Sequence, residues 1–135
     1  MATGYYSELK VWHKSMDLAV EIYQLVKFLP KEELYGLSDQ MRRAVVSIPS
    51  NIAEGHQRSA TKDYIRFLFI AKGSLGELET QLLLCERLGY VNNEISRPIY
   101  SRCEEIGRML SGLINSLQEK LKAGKQGVEI SSRRD

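Results

Sequence analysis

The sequence contains 135 residues, of which 43% are apolar and 27% are charged. This balance is typical of one folded domain and excludes wholesale disorder, while three prolines and ten glycines exclude collagen-like and proline-rich chains. The net charge is +2, from 19 basic and 17 acidic residues. Residues 120–135 carry five basic and two acidic side chains, which leaves 14 basic and 15 acidic ones elsewhere. A uniformly basic nucleic-acid-binding surface is therefore excluded.

Neither an export signal nor a membrane span is expected. No basic segment at the amino terminus is followed by an apolar one. The longest stretches without a charge have ten residues, whereas a membrane span requires about 20 apolar residues. We therefore expect a cytoplasmic protein that does not bind membranes, in which Cys85 and Cys103 are reduced thiols.

The first predicted element is a helix over residues 7–29 with apolar side chains on two faces. One stripe, at alternating spacings of three and four, consists of Leu9, Trp12, Met16, Ala19, Tyr23 and Val26. The other includes Ser15 and five apolar residues, namely Val11, Leu18, Ile22, Leu25 and Leu29. A helix at the edge of a monomeric bundle needs only one apolar face. Two faces favour burial in the bundle and against another subunit, and we assign the five apolar residues of the second stripe to a subunit interface.

The second predicted helix begins with Ser38 as N-cap and stops at Gly55. Pro30 ends the helix before it, and Pro49 is expected to kink it. Its apolar face consists of Met41, Val45, Ile48 and Ile52.

The third predicted helix runs from Thr61 to Leu88, and Gly89 follows as a C-cap. Its apolar seam consists of Tyr64, Leu68, Ala71, Leu75, Leu78, Leu82 and Cys85, a spacing that favours left-handed, near-antiparallel packing. Gly73 and Gly76 lie on a neighbouring stripe and each costs about 1 kcal/mol in a helix interior. We expect another helix to approach closely there.

The fourth predicted helix begins at Asn93 or Ser96, with Pro98 in its first turn, and ends at Leu121. Its apolar face consists of Ile99, Cys103, Ile106, Leu110, Leu113 and Leu117. Because periodicity then stops, we divide the chain into a bundle domain, 1–121, and a flexible basic C-terminal tail, 122–135. Four long helices with short connectors predict an all-α, left-handed, antiparallel up-and-down four-helix bundle.

The sequence lacks the combinations of residues that catalysis and metal binding require. His13 and His56 lie on different elements, and neither has a second ligand three or four residues away. No phosphate-binding glycine loop or nucleophile elbow is present. Both cysteines lie on apolar seams and are expected to act as small hydrophobic residues. We therefore expect no enzymatic activity, catalytic residue, metal or cofactor.

Two polar stripes lie on the second and third helices. The second helix carries Gln40, Arg43, Ser47, Asn51 and Glu54, and the third carries Ser74, Glu77 and Gln81. If the stripes face each other, Arg43 and Glu77 form a charge-assisted pair that fixes the register of the helices. This structural interpretation is favoured over the alternative, in which the same residues line a binding groove.

A basic stripe crosses the start of the third helix, with Arg58, Lys62 and Arg66 at intervals of four. Like charges at this interval repel mildly, so the stripe does not serve helix stability, whereas contact with phosphates would use it. Arg42 is a further candidate from the second helix. Glu54 precedes Arg58 by four residues and can neutralise it, and Asp63 interrupts the stripe. The stripe therefore also fits an ordinary solvent-exposed face of mixed charge without a binding role.

The segment from Gly36 to Gly55, GLSDQMRRAVVSIPSNIAEG, resembles the signature of the four helix bundle protein family. These small bacterial proteins were first noticed as open reading frames in intervening sequences of 23S ribosomal RNA genes. They are sometimes labelled S23 ribosomal proteins, although they are not ribosomal components. Further similar motifs are Leu9-Lys-Val-Trp12, Leu29-Pro30, Ala71-x-Gly73-Ser74 and Leu88-Gly89-Tyr90.

The resemblance implies an antiparallel four-helix bundle that assembles into a ring-shaped homopentamer. A distant relative, the accessory protein of diversity-generating retroelements, has the same bundle and ring and binds nucleic acid and a reverse transcriptase. The family has no established activity, and no agreed role comes with Arg43, Asn51, Glu54 and Glu77. We expect RNA binding by a multivalent ring through Arg42, Arg58, Lys62, Arg66 and the tail. The alternatives are a protein-interaction scaffold, for a reverse transcriptase or another partner, and a small-molecule-binding bundle.

Overall fold

A computed structural model of the chain describes residue 6 and residues 9–134, with the backbone alone described from residue 125 onward. The described part contains four α-helices: α1, Lys10–Leu25; α2, Leu37–His56; α3, Thr61–Arg87; and α4, Asn93–Arg134. Two short 3-10 turns, Val26–Phe28 and Lys31–Glu33, lie between α1 and α2. No strand occurs among these residues. The all-α prediction is confirmed.

The helices form an up-and-down bundle. Each helix packs against the next one along the chain, and α1 also packs against α4, so all four surround one core. The Tyr90 hydroxyl donates a hydrogen bond to Glu33 Oε2 at 2.9 Å, which ties the α3–α4 connector to the α1–α2 connector. We call the end of the bundle that holds these two connectors the two-connector end. The opposite end holds the α2–α3 connector, residues 57–60, and we call it the one-connector end. The handedness of the bundle stays a prediction.

The predicted seams of α2, α3 and α4 form the core. The side chains with almost no exposed surface include Met41, Ile48, Ile52, Leu68, Leu75, Leu78, Leu82, Ile106 and Leu110. Each buried side chain of this size contributes about 1.5–3 kcal/mol relative to leaving it exposed. The spacing of apolar residues thus located the buried face of these three helices.

The start of α2 differs from the prediction. The helix begins at Leu37, and no side chain caps it from the N-cap position. Instead, Glu33 Oε1 accepts a hydrogen bond from the Leu37 backbone N–H at 3.1 Å. Ser38 is buried inside the helix, so the prediction of Ser38 as N-cap is wrong. The preceding 3-10 turn supplies an acceptor that the usual capping residues did not reveal.

The end of α3 follows the prediction. Gly89 has a φ of +76°, a left-handed conformation that glycine adopts without strain. The Gly89 N–H donates to Glu86 O at 3.1 Å, and the Tyr90 N–H donates to Cys85 O at 2.9 Å. This pair of bonds is the Schellman motif, which satisfies carbonyl groups at a helix end.

The two glycines inside α3 face outward in this chain. No described atom lies within 4 Å of where a Cβ atom would stand at Gly73 or Gly76. The helix that we expected to approach them is therefore not one of the other three helices of the same chain.

The fourth helix begins at Asn93, and Asn92 Oδ1 accepts a hydrogen bond from the Ile95 N–H at 3.0 Å. Pro98 consequently lies in the second turn and not the first. The helix continues to Arg134, past the predicted end at Leu121, although this stretch lacks an apolar stripe and contains Gly124 and Gly127. Independent motion of residues 122–135 stays a prediction, and Asp135 lies outside the described residues.

Candidate functional site

The one-connector end brings together the basic cluster, which we define as Arg58, Lys62 and Arg66. A Cβ atom at Gly55 would stand 2.8 Å from Phe67 Cβ, closer than two such atoms normally come. Glycine therefore lets the end of α2 approach α3 closely. The helix ends at His56, one residue beyond the predicted stop at Gly55.

Two cations of the basic cluster pack on the same aromatic ring. The Arg58 Cζ atom lies 5.0 Å from the centre of the Phe67 ring, and the Arg66 Cζ atom lies 4.8 Å from it. Contacts of this kind at exposed positions contribute about 0.5–1 kcal/mol each. Phe67 thus holds two guanidinium groups beside each other, a role that the charge pattern alone did not indicate.

Acidic side chains of α2 and α3 partly neutralise the basic cluster. Arg58 Nη2 lies 2.6 Å from Glu54 Oε1, and Arg66 Nη2 lies 3.9 Å from Asp63 Oδ1. Lys62 is exposed and forms no ion pair with a described residue. Together, the three cations and these two carboxylates have a net charge of +1. Each pair is solvent-exposed and contributes at most about 1 kcal/mol.

The structure places Arg42 outside the basic cluster. Its Nη2 atom donates a hydrogen bond to Leu34 O at 3.3 Å, near the two-connector end. Arg58, by contrast, follows the last turn of α2. Because a helix rises 1.5 Å per residue, about 20 Å of α2 separate the two side chains.

Part of the polar stripe joins α2 to α3. The Oγ atoms of Ser47 and Ser74 lie 2.8 Å apart, and Asn51 Nδ2 donates to Ser47 O at 2.7 Å and to Ser47 Oγ at 2.9 Å. These bonds satisfy polar groups at the half-buried seam between the helices. They fit the structural interpretation of Ser47 and Asn51.

The pair of Arg43 with Glu77 is not formed, which corrects that part of the interpretation. Arg43 Nε donates to Asp39 Oδ2 at 2.9 Å, and the arginine side chain is 80% exposed. Glu77 is also exposed, and Glu54 pairs with Arg58. The spacing of the polar residues showed that they share one face of α2, but it did not show how that face is oriented toward α3. The charged residues Arg43 and Glu54 lie on the solvent-facing side of that face.

The predicted subunit-interface stripe lies inside the single chain. Its members expose only 0–8% of their surface: Val11, Leu18, Ile22, Leu25 and Leu29. They pack against the other helices and cannot reach a second copy in this structure. The other stripe is the more exposed one, with Met16 at 41% and Tyr23 at 45%. The sequence indicated two apolar faces on α1 but not which of them faces the bundle.

A surface cavity of about 410 Å³ lies at the two-connector end and was not found from the sequence. We call it the connector groove. Its apolar lining consists of Val26, Leu29, Pro30 and Leu34, with Tyr23 at one side, and its cationic lining consists of Lys27, Lys31 and Arg42. These residues come from α1, the connector and α2, so only the folded chain brings them together. The only indication of the groove in the sequence was that Lys27 and Lys31 flank the apolar pair Leu29-Pro30.

Comparison with known proteins gives the family. Residues 7–112 match the family model described as 23S rRNA-intervening sequence protein. The chain belongs to this family. The resemblance that we drew from the segment Gly36 to Gly55 is thereby confirmed.

A solved structure agrees with this membership. A protein of unknown function from the S23 ribosomal protein family of Bacteroides thetaiotaomicron VPI-5482 has a similar fold, with a TM-score of 0.72. The two sequences are 34% identical, and the similarity covers 77% of this chain and 97% of that one. No match is found among curated proteins. The 23S rRNA-intervening sequence match includes the basic cluster and the connector groove, whereas α4 beyond residue 112 lies outside it.

The thiols of this family member are shielded. Burial raises the pKa of Cys85 to about 11 and, with the Glu79 carboxylate adding to the effect, that of Cys103 to about 12. The Cys85 Sγ atom lies 3.5 Å from Met41 Sδ in the core. Because the thiolate is the reactive form, neither residue is an activated nucleophile at neutral pH.

No group of three or more potential metal-ligating side chains occurs in the described part of the chain. None of the described helices has the length and hydropathy needed to cross a membrane.

Proposed function

We propose that this 23S rRNA-intervening sequence family member binds RNA through the basic cluster, as an oligomer and without catalysing a reaction. The observation that carries the proposal is the packing of Arg58 and Arg66 on the Phe67 ring at one end of the bundle, with the exposed Lys62 on the same helix as Arg66. Arginine side chains contact phosphates, and exposed cations at one edge form an electrostatic footprint. The proposal includes a cytoplasmic location.

Assembly is part of the proposal because one basic cluster is weak. A net charge of +1 per basic cluster, counted with its two acidic partners, gives little attraction for a phosphate backbone, whereas several linked clusters gain affinity from multivalency. The resemblance suggests five copies. Contact between copies would use the exposed surface of α1 or α3, since the stripe from Val11 to Leu29 is occupied by the core.

The test is a fluorescence titration of a labelled RNA hairpin at increasing salt. We expect wild-type affinity to fall steeply with salt, by about 0.7–0.9 units of log affinity per log unit of salt for each phosphate contact. The triple variant Arg58→Gln, Lys62→Gln, Arg66→Gln should bind more weakly with a shallower slope. The control changes three exposed bases away from the basic cluster, Lys72→Gln, Arg87→Gln and Arg97→Gln.

Two results would contradict the proposal. One is the absence of binding at about 50 mM salt, and the other is an equal loss in the control variant. Light scattering tests the oligomeric part separately, since the mass of a single chain would remove multivalency.

A protein-interaction scaffold is the second candidate, and the outer face of α3 favours it. Phe69, Leu83 and Leu84 are all nearly half exposed, and Gly73 and Gly76 between them leave open space. An apolar surface of this kind is typical of protein contacts. Co-purification with and without ribonuclease distinguishes the candidates, because a protein partner retained after RNA digestion supports a scaffold.

A further inference from the structure

We propose that the connector groove binds an acidic, apolar peptide segment of a partner protein. The inference is independent of RNA binding at the opposite end of the bundle. It starts from a cavity of about 410 Å³ that is lined by aliphatic side chains and three cations, with no carboxylate among the lining residues.

The three cations keep their charge available to a ligand. Lys27, Lys31 and Arg42 form no ion pair with any described residue, unlike Arg58 and Arg66 of the basic cluster. The hydrogen bond from Arg42 to the Leu34 carbonyl, at 3.3 Å, helps to hold the guanidinium beside the groove. A carboxylate placed there would meet positive charge that the chain itself does not compensate.

The acids nearest in sequence are engaged elsewhere. Glu33 accepts one hydrogen bond from the Leu37 N–H and another from the Tyr90 hydroxyl, and Asp39 pairs with Arg43. Glu32 is exposed and is not a lining residue. The α1–α2 connector thus contains both acidic and basic side chains, but only basic ones line the groove.

The apolar part of the groove fits a large side chain. Val26 and Leu29 are buried, while Leu34 and Tyr23 expose almost half of their surface. Two further large side chains of the connector lie outside the lining, Phe28 and Tyr35, and Tyr35 is 89% exposed. Protein interfaces place an apolar anchor in such a pocket and surround it with polar contacts.

These features favour a peptide over a nucleic acid. Single-stranded nucleic acids bind through aromatic side chains on which bases stack, and the only aromatic ring among the lining residues is Tyr23. Aliphatic walls offer no comparable stacking surface. A peptide supplies both requirements, since a leucine or phenylalanine can fill the cavity while neighbouring glutamates or aspartates contact the cations.

The first test is selection from a displayed library of random peptides on the full-length protein. We expect wild-type protein to enrich peptides that combine acidic and large apolar residues, and we expect no such enrichment on the Leu34→Asp variant. Leu34 is half exposed, so this variant should fold, which its thermal unfolding checks. Enriched peptides without acids, equal enrichment on the variant, or no enrichment on wild type would overturn the proposal.

The second test measures the affinity of an enriched, fluorescently labelled peptide. Lys27→Gln with Lys31→Gln should weaken binding up to about tenfold, because each substitution removes one exposed charge pair with the peptide. The matched control is Lys120→Gln with Lys122→Gln, which removes the same charge from α4 and should change little. An equal effect of both pairs would overturn the proposal.

A third measurement separates this site from RNA binding. The Lys27 and Lys31 variant should still bind the RNA hairpin, while the basic-cluster variant should still bind the peptide. Loss of RNA binding with unchanged peptide binding in the groove variant would overturn the proposal and assign the groove to RNA.

Discussion

The two ends of the bundle use cations in different ways. At the one-connector end, Arg58 of the connector pairs with Glu54 of α2, and Arg66 pairs with Asp63 of its own helix. At the two-connector end, the cations of the connector groove have no acidic partner among the described residues. The basic cluster and the connector groove each contain three basic side chains, but only in the groove do all three lack an ion pair with a described residue. The number of basic residues in a stretch is thus a poor measure of the charge that it offers to a ligand.

The largest expected effect concerns the packing that holds the one-connector end together. Gly55→Ala puts a methyl group 2.8 Å from Phe67 Cβ and 3.2 Å from the Tyr64 carbonyl oxygen. We expect it to lower the free energy of unfolding by about 2 kcal/mol, because overpacking a tight contact typically costs about 1–3 kcal/mol. Urea unfolding measures the change.

Gly73→Ala is the matched control, since its methyl group meets no described atom. It should raise the free energy of unfolding by up to about 1 kcal/mol, because alanine favours helices more than glycine does. Changes of the same sign in the two variants would show that the contact at Gly55 does not govern this end.

A smaller effect is expected for the link between the two connectors. Glu33→Ala removes the acceptor for the Leu37 N–H and should lower the free energy of unfolding by about 1 kcal/mol, as the loss of a helix cap does. Glu32→Ala, in the same turn, should change it by less than about 0.5 kcal/mol. Equal effects of the two substitutions in thermal unfolding would contradict a capping role for Glu33.

The same link should depend on pH. The hydrogen bond to Glu33 is the main reason why the pKa of Tyr90 lies above its ordinary 10.0. Its stabilisation is therefore complete below pH 10 and is lost as the pH rises through the raised pKa. In unfolding curves, Tyr90→Phe should show a smaller alkaline loss of stability than wild type; some loss remains in both proteins because the pKa values of Cys85 and Cys103 are also raised.

The smallest expected effect on stability concerns the ion pair between Glu54 and Arg58, which lowers the charge that the basic cluster offers to a ligand. Glu54→Gln removes the partner of Arg58 and should change stability by less than about 0.5 kcal/mol, because the pair is exposed. Affinity for the RNA hairpin should rise at low salt and converge with wild type at high salt. Glu32→Gln, at the other end, should leave RNA affinity unchanged. An unaltered affinity of Glu54→Gln would mean that the basic cluster does not face the RNA.

The fold could be predicted because periodicity reports which residues share a face. Met41, Val45, Ile48 and Ile52 were placed on one face and all are buried. Periodicity does not report which of two apolar faces is turned inward, so Leu18 and its neighbours on α1 were assigned to contact between copies. The cap of α2 was also missed, because Glu33 lies three residues before the N-cap position and its side chain reaches the helix from the preceding 3-10 turn.

The candidate sites depended more on the tertiary structure. Arg58, Lys62 and Arg66 could be grouped because they lie within one stretch of chain. Arg42 could not be placed, since its distance from Arg58 depends on the unbroken length of α2. The connector groove combines residues from a helix end, two 3-10 turns and a second helix, and no helical or strand period describes such a set.

The outward glycines of α3 bear on the order in which the molecule folds. Gly73 and Gly76 together cost about 2 kcal/mol of intrinsic helix stability compared with alanine. Side chains on the opposite face, such as Leu75 and Leu78, offset this only once neighbouring helices cover them. We therefore expect α3 to gain its helical structure together with its packing against α2, and a peptide of α3 alone to be largely unstructured in water.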